Sequence, residues 1–233
     1  MSATRFPGKP LKDICGKPMI EWVYKRAKQA KNVSQVLVAT CDQEIIDVVK
    51  GFGGEAVMTS DLHTSGTDRV AEACRDIDVD LVVNVQGDEP LIDPNAIDSI
   101  IEPFIIDQNL KMASFMVPIS EKEAENPNLV KVVVDINNYA LYFSRSPIPF
   151  QRKPLSGSIY GHVGLYAYTK DFLQTFASLP PSPLESSECL EQLRVLENGY
   201  KLKMVEIQDR PMGVDTEEDL EEVIKIAAGL NID

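Results

Sequence analysis

What most constrains this chain is a rhythm: short apolar runs alternate with stretches whose apolar residues recur three and four positions apart. Gln35 to Thr40 (QVLVAT), Glu55 to Thr59 and Leu81 to Val85 read as short buried strands. Met19, Ile20, Val23, Ala27 and Ala30, entered through Pro18, have helical spacing. So do about Gln43 to Gly51 and Thr67 to Asp76, and Ile97, Ile100, Ile101, Phe104 and Ile105 mark the face of a fourth helix. Such alternation predicts an α/β fold, a doubly wound and mostly parallel sheet with helices on both faces.

After Lys111 the rhythm changes. Met112 to Val117, Leu129 to Asp135 and Tyr139 to Ser144 are strand-like, with a tight turn expected at Asn137-Asn138. A small antiparallel insert over about 111–161 is therefore expected, ending in an exposed loop from Ser146 to Gly161 rich in Pro, Ser and Gly. α/β character then returns: a strand near Val163 to Tyr168, a helix near Glu188 to Asn198, a strand at Leu202 to Ile207 and a last helix opened by Thr216-x-x-Asp219. With 233 residues, 44% of them hydrophobic, the whole of 1–233 reads as a single domain with that insert.

The formal charge of −13 disfavours nucleic acid and anionic membranes as partners, so an anionic ligand must be met by a local cluster of cations. Cys15, Cys41, Cys74 and Cys189 are too widely spaced for a zinc site and read as reduced structural thiols. The absence of any apolar stretch of membrane-spanning length gives the expectation of a cytoplasmic protein. Trp22 reads as a core anchor and His63 as a loop residue.

Three stretches could carry chemistry. Asp88, in VNVQGDEP, follows a strand end, where ligands gather in α/β sheets and where a carboxylate suits Mg²⁺ bound to phosphate. On composition alone, a polar turn capping the next helix is the better reading. Arg5 and Lys9 flank a Pro-Gly turn in TRFPGKPL and either face a triphosphate or form a basic tail; the P-loop spacing is absent. Asp215, in GVDT, is either the N-cap of the last helix or a second metal ligand opposite Asp88. Two distant carboxylates with early cations suit phosphoryl or nucleotidyl transfer, which needs charge neutralisation and alignment more than a covalent nucleophile.

At these residues the chain resembles the 3-deoxy-manno-octulosonate (Kdo) cytidylyltransferases, similar in fold to the sialic acid cytidylyltransferases. The resemblance is carried, in order, by TRFPGKPL at 4–11, GKPMI at 16–20, TSGTDR at 64–69 and NVQGDEP at 84–90. It continues through NP at 126–127, VKVV at 130–133, ALYFSR at 140–145, LEQLRVLENG at 190–199 and GVDTEEDL at 213–220. It implies a nucleotide-diphospho-sugar transferase-like, Rossmann-like fold and a Mg²⁺-dependent reaction of CTP with Kdo, giving CMP-Kdo and pyrophosphate for lipopolysaccharide. Asp88 and Asp215 would carry metal, and Arg5, Lys9, Ser65 and Arg69 would bind nucleotide. Gln86, Arg145, His162, Tyr166, Glu191 and Gln192 would bind sugar, Arg145 pairing with the carboxylate. A homodimer through the insert is also implied.

Two departures from the family pattern carry expectations of their own. The usual first strand and its arginine are missing before TRFPGKP, which would expose neighbouring strand edges and suits a rival reading, an inactive sugar-nucleotide-binding protein. Gly161 stands where the family usually has a basic residue, which suits a sugar pocket shaped for a variant such as 8-amino-Kdo. A sialic-acid-like substrate is the remaining alternative.

Overall fold

The computed structural model describes residues 6, 8–63, 65–153, 157–230 and 232. Gly8, at φ 69°, occupies the left-handed region that costs glycine nothing and turns the chain into a 3-10 turn at Lys9–Leu11. β1 (Asp13–Ile14) and β2 (Lys17–Pro18) form a hairpin whose two central residues, Cys15 and Gly16, both have positive φ. α1 (Met19–Lys28) buries Met19, Ile20, Trp22, Val23 and Ala27. β3 (Val38–Thr40), α2 (Gln43–Gly51), β4 (Ala56–Met58) and α3 (Gly66–Ala73) follow, α2 capped by the Asp42 side chain and α3 by that of Ser65.

Next come β5 (Leu81–Asn84), α4 (Pro94–Ile106), β6 (Met112–Ile119), α5 (Glu121–Ala124), β7 (Lys131–Val134), β8 (Ala140–Ser144) and β9 (Ile159–Thr169). The chain closes with α6 (Lys170–Ser178), α7 (Pro183–Glu188), α8 (Gln192–Glu197), β10 (Lys203–Glu206) and α9 (Glu217–Ala227).

The described residues pack as two compact units. The first takes in Met1–Asp78, Asn84–Asp98 and Pro211–Asp233. Its β3 and β4 pair in parallel, joined by α2, which is the predicted strand-helix-strand rhythm. One of its cores gathers Ile14, Met19, Trp22, Val214, Val223 and Ala227, so the last helix packs on the first. Trp22 anchors this core, 2% exposed, with its indole N–H donating to the Ile14 carbonyl at 2.8 Å.

The second unit takes in Val79–Val83 and Ser99–Arg210. Its sheet runs β10-β6-β9-β7-β8, with β5 also on β9. β10 lies parallel to β6, whereas β9 is antiparallel to both β6 and β7 and β7 to β8. The antiparallel strands expected within 111–161 belong to this unit.

Three local expectations need correcting. Ile105 is 68% exposed, because Ile97, Ile100, Ile101 and Phe104 complete the buried stripe one residue before it. The loop expected to reach Gly161 stops before Ile159, since Ile159, Tyr160 and Gly161 pair with Ile119, Pro118 and Val117. The single helix expected from Glu188 is two: Ser182 and Glu185 form a capping box that starts α7 early, and Cys189 at φ 54° ends it. At Asn137-Asn138 the turn is pinned from outside, the Asp135 carboxylate accepting from the N–H groups of Asn137 and Tyr139.

Candidate active site

In the first unit, Lys9, Asp88 and Asp215 converge although they are far apart in sequence. The Lys9 ammonium lies 2.8 Å from Asp88 Oδ2 and 3.0 Å from Asp215 Oδ1. Burial works against its charge, but hydrogen bonds to the two carboxylates and their charges outweigh it and raise its pKa above the ordinary lysine value.

Local structure explains why both carboxylates are available. Asp88 does not cap the following helix; Asp93 does, its carboxylate accepting from the N–H of Asn95 at 3.0 Å. Asp215 is not an N-cap either. Thr216 caps α9 through Asp219 N–H, and Asp219 Oδ2 in return accepts from the N–H groups of Thr216 and Asp215, each at 2.9 Å. The two acidic loops are joined by the Val214 N–H, which donates to the Asp88 carbonyl at 2.9 Å.

Such a pair suits Mg²⁺. The two carboxylates already hold one positive centre, the donors are hard oxygens, and Mg²⁺ typically takes one or two carboxylates and completes its shell with water and phosphate. Among the described residues no cluster of three or more His, Cys, Asp or Glu side chains could hold a metal, so the chain would supply only part of the shell.

Arg5 lies outside the described residues. Ser65 caps α3, accepting from the Asp68 N–H at 3.1 Å, and Arg69 donates to Thr59 Oγ1 at 2.6 Å and to the Ser60 carbonyl at 3.1 Å. His63 pairs with the Glu72 carboxylate. Gln86 turns the chain after β5, its carbonyl accepting from the Glu89 N–H at 3.3 Å.

Glu89, read from sequence as a turn residue, is more unusual than that. Its Oε2 is buried with no hydrogen-bond partner among the described residues, and burial, helped by the charge of Asp88, pushes its pKa up to about 7. The folded state thus holds a proton that the unfolded chain gives up near the ordinary glutamate value of 4.5, and stability falls as pH rises between about 4.5 and about 7. Glu89→Gln, which mimics the protonated form, is expected to flatten that fall. It should gain up to about 3 kcal/mol over the parent above pH 7.5, and match it near pH 4.5, in melts without divalent ions. A constant difference across that range would exclude the buried titration.

In the second unit, His162, Tyr166 and Gln192 form one buried network, exposed by 8%, 5% and 2%. The Tyr166 hydroxyl donates to Gln192 Oε1 at 3.3 Å, Gln192 Nε2 lies 3.4 Å from His162 Nδ1, and His162 Nε2 lies 2.8 Å from Ser114 Oγ. Ser114 Oγ also sits 2.9 Å from the Leu165 carbonyl and 3.1 Å from that of Val163. One assignment satisfies the whole chain: Nδ1 accepts from Gln192, Nε2–H donates to Ser114, and the serine proton goes to the carbonyls. That is neutral histidine, in keeping with burial that lowers its pKa to about 3. Burial, then the charge of Glu191, raises the Tyr166 pKa well above its usual value. A bulge brings these groups together: Ser114 faces Tyr166 while Phe115 faces Val163, leaving Gly164 and Leu165 extra in β9. Sequence reading missed Ser114, the one polar residue of an otherwise apolar run from Met112 to Val117.

Arg145, at the end of β8, is held on two sides. Nε donates to the Glu188 carbonyl at 2.8 Å, Nη1 to the Pro127 carbonyl at 3.1 Å and Nη2 to the Cys189 carbonyl at 3.5 Å. The guanidinium therefore closes the C-terminal carbonyls of α7, and among the described residues one N–H on each terminal nitrogen makes no hydrogen bond. Glu191 stands just before α8, its carbonyl accepting from the Arg194 N–H at 3.1 Å. At Gly161, a Cβ would lie 3.1 Å from Ile119 Cγ2 and 3.2 Å from Leu129 Cδ1. The space that a side chain would take is filled by these residues, so the glycine opens no room for a larger sugar.

The α/β fold is Rossmann-like, and the match to the cytidylyltransferase family makes the chain a nucleotidyltransferase. The chain belongs to the 3-deoxy-manno-octulosonate cytidylyltransferase family: the model of the cytidylyltransferase family matches residues 1–207, and relatives bearing the narrower name are about half identical to it. One, from Syntrophotalea carbinolica, is 51% identical over 98% of this chain and 96% of its own. Another, from Fusobacterium nucleatum, is 51% identical over 99% and 95%. Among solved structures, CMP:2-keto-3-deoxy-manno-octonic acid synthetase complexed with CTP superposes with a TM-score of 0.93 at 44% identity, covering 97% of this chain and 93% of that one. A cytidylyltransferase from Leptospira borgpetersenii, at 19% identity and TM-score 0.66 over 98% and 84%, shares the fold alone.

Proposed function

We propose that this chain transfers the cytidylyl group of CTP to 3-deoxy-manno-octulosonate, releasing pyrophosphate and supplying the activated sugar for lipopolysaccharide. The observation that carries this reading is the Lys9–Asp88–Asp215 cluster, together with similarity over nearly the whole chain to enzymes of that name. The anomeric hydroxyl attacks the α-phosphorus in line; the new O–P bond forms as the bond to the β-phosphate oxygen breaks, and the hydroxyl proton passes to solvent.

In this reading Lys9 holds the triphosphate, helped by Arg5, Ser65 and Arg69, and Asp88 and Asp215 hold Mg²⁺. The bound ion would neutralise phosphate charge. In the second unit, the two remaining terminal N–H groups of Arg145 take the sugar carboxylate. Gln86, His162, Tyr166, Glu191 and Gln192 form or support the contacts to its hydroxyls; the neutral His162 orients and does not shuttle a proton at physiological pH.

A homodimer is part of the same proposal, supported by the exposed apolar side chains of Ile136, Leu141 and Phe150 in the strand-rich segment. A cytoplasmic setting is supported by Cys15, Cys41 and Cys189, which form no disulfide. No helix among the described residues is long and apolar enough to cross a membrane.

Pyrophosphate release measured with CTP, Kdo and Mg²⁺ tests the activity directly. Release is expected only when all three are present and only weakly when UTP replaces CTP. Binding of CTP without any release, under every metal supplied, would favour the non-catalytic reading.

A further inference from the structure

We infer that Lys131 is a positioning residue for Arg145, and through it for the sugar carboxylate. This rests on the proposed role of Arg145. Lys131 begins β7, opposite Ser144 of β8 and Gly161 of β9, and is completely buried. Its ammonium donates to three main-chain carbonyls: Asn126 at 3.0 Å, Leu129 at 2.7 Å and Arg145 itself. An ammonium has three N–H donors, so all are used and none can reach a ligand.

What this costs and what it secures can both be stated. A buried ammonium is expensive unless compensated, and a valine like its neighbours Val130 and Val132 would fill a strand position without that penalty. The compensation here is three carbonyl dipoles and the nearby Glu188 carboxylate, which opposes the lowering of the Lys131 pKa by burial. In exchange, one atom ties the loop at 126–129 to the end of β8. Pro127, in that same loop, is the residue whose carbonyl receives Arg145 Nη1. Opposite it, α7 supplies the Glu188 carbonyl, and the Glu188 carboxylate accepts from the Arg145 N–H at 2.9 Å and from the Ser144 hydroxyl at 2.6 Å. Lys131 thus fixes one of the two supports that aim the guanidinium.

The test uses the full-length enzyme with Lys131→Met, which keeps the length of the stem and removes the donors. Two ligands are compared, the sugar acid as substrate and its carboxamide analogue as competitive inhibitor. A misaimed guanidinium should lower kcat/KM for the acid by about a hundredfold. The KM for CTP and the Ki of the carboxamide should stay essentially unchanged, and preference for the acid over the carboxamide should collapse. Equal losses for acid and carboxamide, or a raised KM for CTP, would show a merely structural role and overturn the inference.

Arg145→Met separates the two readings. If it preserves the preference for the acid, the role of Arg145 itself is wrong. If it abolishes that preference while Lys131→Met does not, only the Lys131 inference fails. Should Lys131→Met be insoluble, Lys131→Gln, with two N–H donors, replaces it and should show the same selective loss in smaller measure; a loss shared equally by both ligands overturns the inference here too.

Discussion

Asp88→Asn is expected to lower kcat by about 10²- to 10³-fold with the fold intact. Asparagine keeps the shape of the side chain, and the Asp88 carbonyl that holds Val214 is untouched. The Asp88 side chain is 37% exposed, so its ion pair with Lys9 contributes little to stability in water. The change therefore removes charge where metal and phosphate would meet and little else. Turnover and melting temperature measured side by side decide it: an unchanged kcat would remove Asp88 from the metal-binding role, and a collapsed melt would mark it as structural.

Lys9→Met should raise the KM for CTP and lower kcat, reducing kcat/KM by about 10²-fold or more, because a partly buried cation that would face the phosphates is lost. A second effect follows from the geometry. The ammonium occupies the oxygens of Asp88 and Asp215 that the metal would use, so in the CTP-free protein the two cations compete. Without the lysine the two carboxylates repel each other until a divalent ion arrives. Mg²⁺ should therefore raise the melting temperature of the variant more than that of the parent, by the stabilisation that ligand binding to the folded state confers. Equal Mg²⁺ shifts in the two proteins would show that the ion does not share these carboxylates.

The rhythm of strand and helix was legible because period and capping are local: α2 and α9 begin where Asp42 and Thr216 announce them. The meeting of Asp88 and Asp215 at Lys9 could not be read from either stretch alone. Taken singly, each fitted an ordinary turn or cap, and only the structure shows that Asp93 and Thr216 do the capping instead. Arg145 was visible at the end of an apolar strand, but the carbonyls that grip it come from Pro127 and from a helix end created by left-handed Cys189, neither encoded near residue 145. Lys131 did leave a trace, a single charge inside Leu129 to Val134, whereas the bulge that gathers His162, Tyr166 and Ser114 left none. Regular strand alternation would put His162 and Tyr166 on one side; what joins Ser114 to them is a break in that alternation.

Lys9 and Asp215, joined by a hydrogen bond from the lysine ammonium, are separated by 206 positions. Contacts of such span form late, since most of the chain must be ordered before its ends can meet. On a ribosome the consequence is one of timing. A growing polypeptide whose residue 215 is still inside the exit tunnel has Lys9 and Asp88 but lacks the second carboxylate, so the proposed metal site cannot assemble until that residue emerges.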